Sequence, residues 1–309
     1  MEVFESADAA RAFVGTLRSE GRTVGFVPTM GALHEGHLSL VKSALSCDAA
    51  VASIFVNPTQ FGPNEDLDKY PRTLTADLEQ LKSAGVAGVF VPTKEQMYPD
   101  GFSTSVEPPR ISETLEGAYR PGHFRGVVTV VLKLLNALPV SHAYFGKKDY
   151  QQWRVIEAMA RDLDVGTEII GCETVREADG LAMSSRNRYL SNQERTRALL
   201  LSETLKYVET AYQAGETQTS ILQAHMQRML LGENIDDTDA VNTDPVNTDA
   251  VKPDTPSRHR LDTLQYATIV SAHDFTPLSI IDRPAVALIA GMIGTTRLID
   301  NHELGQSGN

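Results

Sequence analysis

The chain of 309 residues has little cysteine and no long apolar segment. Its two cysteines, Cys47 and Cys172, are too few for a disulfide framework, and they lack the spacing of a metal site. No apolar stretch approaches the ~20 residues that cross a bilayer. The acidic residues 1–8 lack the basic and apolar regions of a signal peptide. We therefore expect a cytoplasmic protein that has no membrane segment.

The chain is also poor in positive charge, with 28 Lys and Arg against 40 Asp and Glu and a net charge of −12. An acidic chain repels the phosphate backbone unless its basic residues cluster, so we expect no nucleic-acid partner. The hydrophobic fraction of 41% is ordinary for a globular protein, which excludes disorder throughout the chain. The length corresponds to roughly two domains of ~150 residues each.

Short apolar runs alternate with amphipathic segments over residues 1–176. The continuous runs at 49–56 and 86–91 are typical of strands buried on both faces of a parallel sheet. Further strands are predicted at 22–27, 142–145 and 165–171, and helices at 37–44, 73–84, 121–138 and 150–162. This alternation predicts a doubly wound, Rossmann-like α/β domain, in which ligands bind beyond the carboxyl ends of the strands.

Residues 177–309 have a different pattern, which predicts a smaller, mixed α+β C-terminal domain that acts as a lid. Helices are expected at 192–214 and 217–231, and strands at 264–271 and 285–293. An acidic insertion at about 235–258 contains a five-residue motif, repeated three times over 238–252. Residues 236–254 hold six aspartates and one lysine, which predicts a solvated surface loop. A Ca²⁺ loop is less favoured, because the repeat lacks the Gly and terminal Glu of an EF-hand.

The first motif whose side chains could bind a ligand or carry out chemistry is the segment HEGH at 34–37. It follows a Pro-Thr-Met-Gly turn, where a helix begins. Helix N-terminal amides favour phosphate oxygens, and two imidazoles three residues apart can both donate from one side of a turn. Alternatively, one histidine caps the helix and the other packs. Zinc binding is less favoured still, because the segment lacks the four-residue histidine spacing of a metalloprotease helix.

The second motif is MSSR at 183–186, which follows a turn and supplies two hydroxyl groups and a guanidinium. Ser and Arg side chains can bind a triphosphate and stabilise the charge of departing pyrophosphate. Together, HEGH and MSSR resemble the HIGH and KMSKS motifs of the nucleotidyltransferases that activate carboxylates with ATP.

Three further segments narrow this resemblance: FVNPTQF at 55–61, YRPGHFRG at 119–126 and GKKDYQQ at 146–152. With PTMGALHEGH at 28–37 and READGLAMSSRNRYL at 176–190, they closely resemble the pantothenate synthetase (pantoate–β-alanine ligase) family. The resemblance implies two steps. Pantoate attacks the α-phosphate of ATP to give pantoyl adenylate and pyrophosphate, and the amine of β-alanine then displaces AMP. It also implies a homodimer.

The resemblance implies an ATP site as well. Its members would be Met30, Gly31, Ala32, Leu33, His34, Glu35, Gly36, His37, Gly146, Lys147, Lys148, Asp149, Val175, Met183, Ser184, Ser185 and Arg186. Among them, the chemistry would be carried by His34, His37, Lys148 and Arg186. His37 is implied as a general acid that assists departure of the leaving group. Lys147, unlike Lys148, is expected to be solvated.

The substrate and metal contacts are implied in the same way. Gln60 would bind pantoate and β-alanine, and Gln152 would bind pantoate, because neutral amides can serve both hydroxyl and carboxylate groups. Asn57 and Arg120 are further candidates nearby. Asp77 and Gln80 resemble a position that meets Mg²⁺, although a lone helical Asp is more often a surface residue. The ion is expected in any case, because it bridges ATP oxygens with few protein ligands.

Two other classes of protein remain as alternatives. A sister nucleotidyltransferase would make a dinucleotide or coenzyme, or would act on tRNA, but a tRNA enzyme normally carries an extra basic domain. A nucleotide-binding regulator without catalysis is disfavoured by the presence of His37, Lys148 and Arg186 together.

We predict that deletion of residues 236–254 changes turnover by no more than about twofold, because a surface loop can change length with little change in free energy. Pantoate-dependent AMP formation by the deletion variant measures this. Loss of folding or of activity would show that the segment has a structural or regulatory role.

Overall fold

The computed structural model describes residues 1–63, 65–233 and 260–305. The acidic insertion expected at about 235–258 lies outside them. The chain divides into two compact units, Met1–Val175 with Met183–Ser185, and Arg176–Ala182 with the chain from Arg186 onward. The functional domains expected at 1–176 and 177–309, an ATP- and pantoate-binding domain and a lid, stay predictions.

The first unit is built on a six-stranded parallel sheet in the order β1-β4-β3-β2-β5-β6. Its strands are β1 (Glu2–Phe4), β2 (Val24–Thr29), β3 (Ala49–Ile54), β4 (Gly88–Phe90), β5 (His142–Gly146) and β6 (Glu168–Cys172). Because every neighbouring pair is parallel, the carboxyl ends of all the strands lie at one edge. The predicted doubly wound α/β class is confirmed.

Helices cover both faces of this sheet. They are α1 (Ala7–Ser19), α2 (Glu35–Ala44), α3 (Leu74–Ser83), α4 (Lys94–Met97), α5 (Glu116–Tyr119), α6 (His123–Ala137) and α7 (Tyr150–Asp162), with 3₁₀ turns at Pro58–Gln60, Leu67–Lys69, Arg110–Ser112 and Lys147–Asp149. On β5, Ala143 and Phe145 join the core with α1, α6 and α7, whereas Tyr144 joins the core with α2 and α3. Burial on both faces explains why the strands are continuous apolar runs.

The strand order reverses beside β2. From β2 the chain proceeds outward through β3 and β4, and it then crosses back so that β5 pairs with the other side of β2. In open α/β sheets, ligands bind in the crevice at such a point, beyond the carboxyl ends. The chain leaves β2 at Thr29 toward HEGH and leaves β5 at Gly146 toward GKKD. The topology therefore brings these two motifs to one crevice.

Within its described residues, the second unit combines two helices with a three-stranded antiparallel sheet in the order β7-β8-β9, which confirms the mixed α+β prediction. After a 3₁₀ turn at Ser185–Tyr189 come α8 (Asn192–Gln213), α9 (Thr219–Leu231), β7 (Thr263–Ser271), β8 (Ala285–Ile293) and β9 (Thr296–Leu304). Arg176 donates two hydrogen bonds of 2.7 and 2.9 Å to the buried carboxylate of Asp300 on β9. No helix within the described ranges is long and apolar enough to span a membrane.

Several elements differ from the sequence-based expectation. The helix α7 and the strand β8 have the predicted bounds, but the strand expected from residue 165 begins only at Glu168. The elements α1, β1 and β9 have no counterpart among the predicted helices and strands. The signal for α1 was available, since its buried residues Ala10, Val14 and Leu17 have helical spacing and Ser6 caps its first turn.

The backbone of α6 packs directly against the 3₁₀ turn Pro58–Gln60. A Cβ atom on Gly126 would lie 2.3 Å from the carbonyl oxygen of Thr59 and 2.7 Å from the Cα of Gln60. Both atoms belong to the backbone, so neither can move aside as a side chain would.

We predict that Gly126→Ala lowers the stability of the protein by about 2 kcal/mol, because the added methyl group forces α6 and the turn apart. Thermal unfolding of the unliganded protein measures this. The matched control is Gly15→Ala on α1, where nothing lies within 4 Å of the added Cβ. The control should be neutral or slightly stabilising, because Ala favours a helix over Gly. Equal effects of the two substitutions would contradict the close packing of α6.

Candidate active site

The turn that follows β2 is held by a carboxylate from α3. Asp77 is only 1% exposed, and its oxygens accept hydrogen bonds from the backbone N–H groups of Ala32 (3.0 Å) and Leu33 (2.9 Å). The hydroxyl of Thr73 donates to the same carboxylate (3.1 Å). Gly31 and Ala32 have positive φ angles of 80° and 51°, and such a conformation is strained for Ala32. Asp77 therefore stabilises an unfavourable turn immediately before α2.

These contacts bear on the magnesium site that the resemblance implied. Both oxygens of Asp77 already accept from protein donors, so the geometry favours a structural role for Asp77 over a metal-ligand role. Gln80 lies partly buried one turn farther along α3. Over the described part of the chain, no three His, Cys, Asp or Glu side chains form a group that could hold a metal ion. Metal binding by Asp77 and Gln80 stays a prediction that this geometry does not favour.

The two histidines of HEGH form a reciprocal cap at the start of α2. The backbone N–H of Gly36 donates to His34 Nδ1 (3.1 Å), and the backbone N–H of His34 donates to His37 Nδ1 (3.3 Å). The ring centroids lie 4.1 Å apart. Because each Nδ1 accepts a hydrogen bond, each neutral ring carries its proton on Nε2. One sequence-based alternative, in which a histidine caps the helix, thus describes the unliganded geometry, and two Nε2–H donors result.

The electrostatic surroundings keep His37 neutral. Burial is the main cause that lowers the pKa of His37 to about 3, and the neighbouring His34 lowers it further. The carboxylate of Asp149 opposes this shift, whereas the ammonium of Lys148 adds to it. Lys148 and Asp149 belong to the 3₁₀ turn that follows Gly146 at the end of β5. Their influence on His37 indicates that the GKKD turn lies within electrostatic range of HEGH, as the topology of the sheet predicts.

The start of the MSSR motif lies against the same helix. Met183 Cβ is 3.7 Å from the position that a Cβ on Gly36 would take, and Met183, Ser184 and Ser185 belong to the first unit. The backbone N–H of Met183 donates to the carbonyl of Val175 (2.9 Å), another residue of the implied ATP site. Arg186 belongs to the second unit, within the 3₁₀ turn Ser185–Tyr189. Its role in binding ATP stays a prediction.

The candidate pantoate residue Gln60 is oriented by Asn57. The Asn57 side chain is 1% exposed: its oxygen accepts from the N–H of Thr59 (3.3 Å), and its nitrogen donates to the carbonyl of Gly126 (3.2 Å). These backbone partners fix the amide orientation of Asn57, so its nitrogen also donates to Gln60 Oε1 (3.0 Å). The Nε2 of Gln60 lies 3.3 Å from the sulfur of Met30, another predicted site residue. Asn57 thus positions Gln60, which presents its amide donors.

The adjacent glutamines of α7 have different surroundings. Gln151 is buried, and its amide bonds to backbone groups of Ile111, Thr114 and Glu116, which makes it structural. Gln152, the candidate for pantoate, is partly buried. The sequence alone could not separate these neighbours by role, since both carry the same side chain.

Two basic side chains differ from the sequence-based interpretation. The prediction that Lys147 is solvated is wrong: its side chain is 14% exposed, and its ammonium lies 2.6 Å from a carboxylate oxygen of Glu173. The guanidinium of Arg120 donates to both carboxylate oxygens of Glu65, at 2.7 and 2.6 Å. A direct contact of Arg120 with substrate stays a prediction, and this ion pair favours a supporting role. Glu35, the first residue of α2, is exposed.

We predict that Asp77→Asn lowers the melting temperature of the unliganded, magnesium-free protein by about 5 °C and weakens ATP binding. An amide has one acceptor oxygen, so at least one buried N–H of the turn loses its partner, at a cost of about 2 kcal/mol. Differential scanning calorimetry measures the first effect.

The control is Glu79→Gln, which removes the same charge from an exposed position of α3 and should leave the melting temperature unchanged. If Asp77 instead ligates magnesium, Asp77→Asn would shift the magnesium dependence and leave the melting temperature of the metal-free protein as it was.

Comparison with known proteins finds relatives that match this chain over nearly its whole length. A curated pantothenate synthetase from Rhodopirellula baltica is 49% identical over 308 residues, which cover 98% of this chain and 99% of that protein. A solved structure of pantothenate synthetase from Thermus thermophilus is 39% identical, has a TM-score of 0.81, and covers 98% of this chain and 99% of its own.

A second solved structure adds ligands. It is described as pantoate-β-alanine ligase from Francisella tularensis complexed with β-γ ATP and β-alanine; its identity is 33% and its TM-score 0.71, over 98% of this chain and 97% of that one. The model of the pantoate-β-alanine ligase family matches residues 2–303. Because this match spans nearly the whole chain, the protein belongs to the pantoate-β-alanine ligase family.

Proposed function

We propose that this protein condenses pantoate with β-alanine at the expense of ATP and gives pantothenate, AMP and pyrophosphate through a pantoyl-adenylate intermediate. One observation carries the proposal: the strand reversal beside β2 brings the paired histidines of HEGH within electrostatic reach of Lys148 and Asp149. The Francisella tularensis relative, described in complex with β-γ ATP and β-alanine, supports these substrates.

In the first step, charge moves onto the departing pyrophosphate while a pantoate oxygen bonds to the α-phosphorus. Hydrogen-bond donors that already face this charge lower the barrier, because they need not reorganise during the reaction. The Nε2–H groups of His34 and His37 supply two such donors, and Lys148 supplies a positive charge. We assign Asp149 to the ribose hydroxyls, and Met183, Ser184, Ser185 and Arg186 to the triphosphate.

The neutral state of His37 favours a hydrogen-bonding role over that of a preformed acid. With a pKa lowered to about 3 in the unliganded protein, very little His37 is protonated at pH 7. A bound polyphosphate raises the pKa again, since its negative charge favours the imidazolium. Protonation would also break the hydrogen bond from the backbone N–H of His34 to His37 Nδ1. His37 can therefore act as a general acid only if bound ATP raises its pKa and the hydrogen bond from the His34 N–H to His37 Nδ1 breaks.

In the second step, the amine of β-alanine must reach the activated carboxyl group before water does. Adenylation converts a poor electrophile into a good one, and water would hydrolyse the adenylate without product. Gln60 and Gln152 are assigned to pantoate, with Gln60 also near β-alanine, because primary amides both donate and accept hydrogen bonds. Holding both substrates in one site makes the step effectively intramolecular. Magnesium would enter with ATP. The homodimer and the cytoplasmic location stay predictions.

The proposed activity predicts a specific pattern of pyrophosphate release from Mg·ATP. Pantoate alone should give slow or single-turnover release, because the adenylate stays bound. Addition of β-alanine should then give sustained turnover with AMP as a product. A coupled pyrophosphate assay with quantification of AMP measures both. No release under either condition would contradict the ligase and favour a nucleotide-binding regulator.

Two substitutions of His37 separate the donor role from the acid role. His37→Ala should slow adenylation about 10²-fold or more, since the group that assists the leaving phosphate is lost. His37→Gln keeps an amide donor close to the position of Nε2 but cannot act as an acid at neutral pH. We expect it to retain activity at least about tenfold above that of His37→Ala in single-turnover adenylation. Equal, severe losses in both variants would contradict the donor role and support proton transfer.

A further inference from the structure

The main chain of Gln60 is held by a histidine that the sequence motifs did not assign. His123, the first residue of α6, is 7% exposed, and its Nδ1 lies 2.8 Å from the carbonyl oxygen of Gln60. A carbonyl oxygen can only accept, so His123 Nδ1 carries the proton of this hydrogen bond. The neutral ring consequently has its acceptor on Nε2.

That acceptor faces an arginine. The guanidinium of Arg120 lies 3.0 Å from His123 Nε2 through Nη1, and an arginine can only donate. Its Nε and Nη2 donate to the two carboxylate oxygens of Glu65, and Nη2 also approaches the carbonyl of Gln60 at 3.4 Å. The hydrogen bonds thus run in one direction, from Arg120 to His123 to Gln60, and Glu65 anchors Arg120.

The surroundings of His123 keep its ring neutral, which preserves the direction of these hydrogen bonds. Burial lowers the pKa of His123 to about 4, and the adjacent Arg120 lowers it further; the Gln60 carbonyl, Glu116 and Glu65 act in the opposite sense. The ring is therefore neutral at pH 7. Protonation would replace the Nε2 acceptor with a donor that faces the guanidinium, so the neutral ring and the observed geometry require each other.

Gln60 is thus held through both its main chain and its side chain. His123 and Arg120 hold the carbonyl of Gln60, and Asn57 holds its side-chain Oε1 (3.0 Å). The absence of a Cβ on Gly126 lets α6 approach the backbone of Gln60 closely enough for these contacts. The other polar group of the Gln60 side chain, Nε2, lies beside the Met30 sulfur.

We propose that His123, oriented by Arg120 and Glu65, is a positioning residue that holds Gln60 for the hydroxy-acid substrate and so sets the affinity for pantoate but not for ATP. This inference rests on the proposed function. His123 acts through Gln60 and needs no contact with the reacting atoms. The separation from ATP follows from the contacts: the hydrogen bonds of His123, Arg120 and Glu65 involve neither the HEGH nor the GKKD segment. Gln60 itself approaches one residue of the implied ATP site, Met30, through its Nε2.

Two substitutions of His123 test the direction of the hydrogen bond. The amide nitrogen of Asn can occupy the place of His Nδ1 and keep the donor to Gln60, whereas the longer Gln places its amide near Nε2 and loses that donor. We expect His123→Gln to raise the KM for pantoate about tenfold, as the loss of one buried hydrogen bond implies, and His123→Asn to stay within about threefold. The KM for ATP should stay within about twofold in both.

Glu65→Gln provides a second variant should the buried His123 substitutions impair folding. It removes the anchor of Arg120 at a partly exposed position, and it should raise the KM for pantoate about threefold with an unchanged KM for ATP. The matched control is Arg125→Gln, which breaks the exposed Arg125–Glu107 ion pair on the same helix and should leave both constants unchanged.

The outcomes separate the two proposals. If the unaltered protein releases pyrophosphate with pantoate but His123→Gln and His123→Asn have the same KM for pantoate, the positioning role is wrong and the ligase stands. A parallel rise in the KM for ATP would likewise show a general structural role. If the unaltered protein shows no pantoate-dependent release, the proposed function itself fails, and the positioning role fails with it.

Discussion

The candidate active site depends on one buried carboxylate. Asp77 accepts hydrogen bonds from the backbone N–H groups of Ala32 and Leu33, and it thereby holds a turn in which Ala32 has a positive φ angle. That turn joins the end of β2 to the start of α2, so it determines where His34 and His37 begin their helix. The strand reversal beside β2 then brings the turn after β5 to the same place. Asp77 therefore contributes to the site by fixing the backbone conformation of the turn before α2.

The site achieves its electrostatic character mainly through desolvated neutral donors. His37 and His123 are both held neutral, chiefly by burial, and each has a tautomer that is fixed by a backbone group. They serve opposite ends of the proposed reaction: the Nε2–H of His37 is assigned to the phosphates of ATP, and His123 supports the glutamine assigned to pantoate. This arrangement suits a polyanionic substrate in a protein whose net charge is −12, because preoriented dipoles stabilise charge as it develops.

Much of this architecture could be predicted from the sequence. The continuous apolar runs indicated a parallel sheet, and the motifs lay at the ends of strands, as the structure confirms for HEGH and GKKD. What a linear pattern could not supply is the identity of partners distant in sequence. Asp77 looked like a lone helical carboxylate, and nothing near it in the chain indicated that it contacts residues 32 and 33. Lys147 and Glu173 meet only because β5 and β6 are neighbours. The role of His123 depends on a carbonyl 63 residues away.

The proposed role of the paired histidines at the start of α2 requires both rings to be neutral, with the proton on Nε2, before ATP binds. Long-range ¹H–¹⁵N NMR of the imidazole rings, recorded across a pH titration of the unliganded protein, distinguishes the tautomer and the charge of each ring. We expect His37 to stay neutral, with its proton on Nε2, down to at least about pH 4.5, and we expect ATP to raise its pKa. An imidazole of His37 that titrates near pH 6.5 without ligand, or that carries its proton on Nδ1, would show that His37 is not a preformed neutral donor.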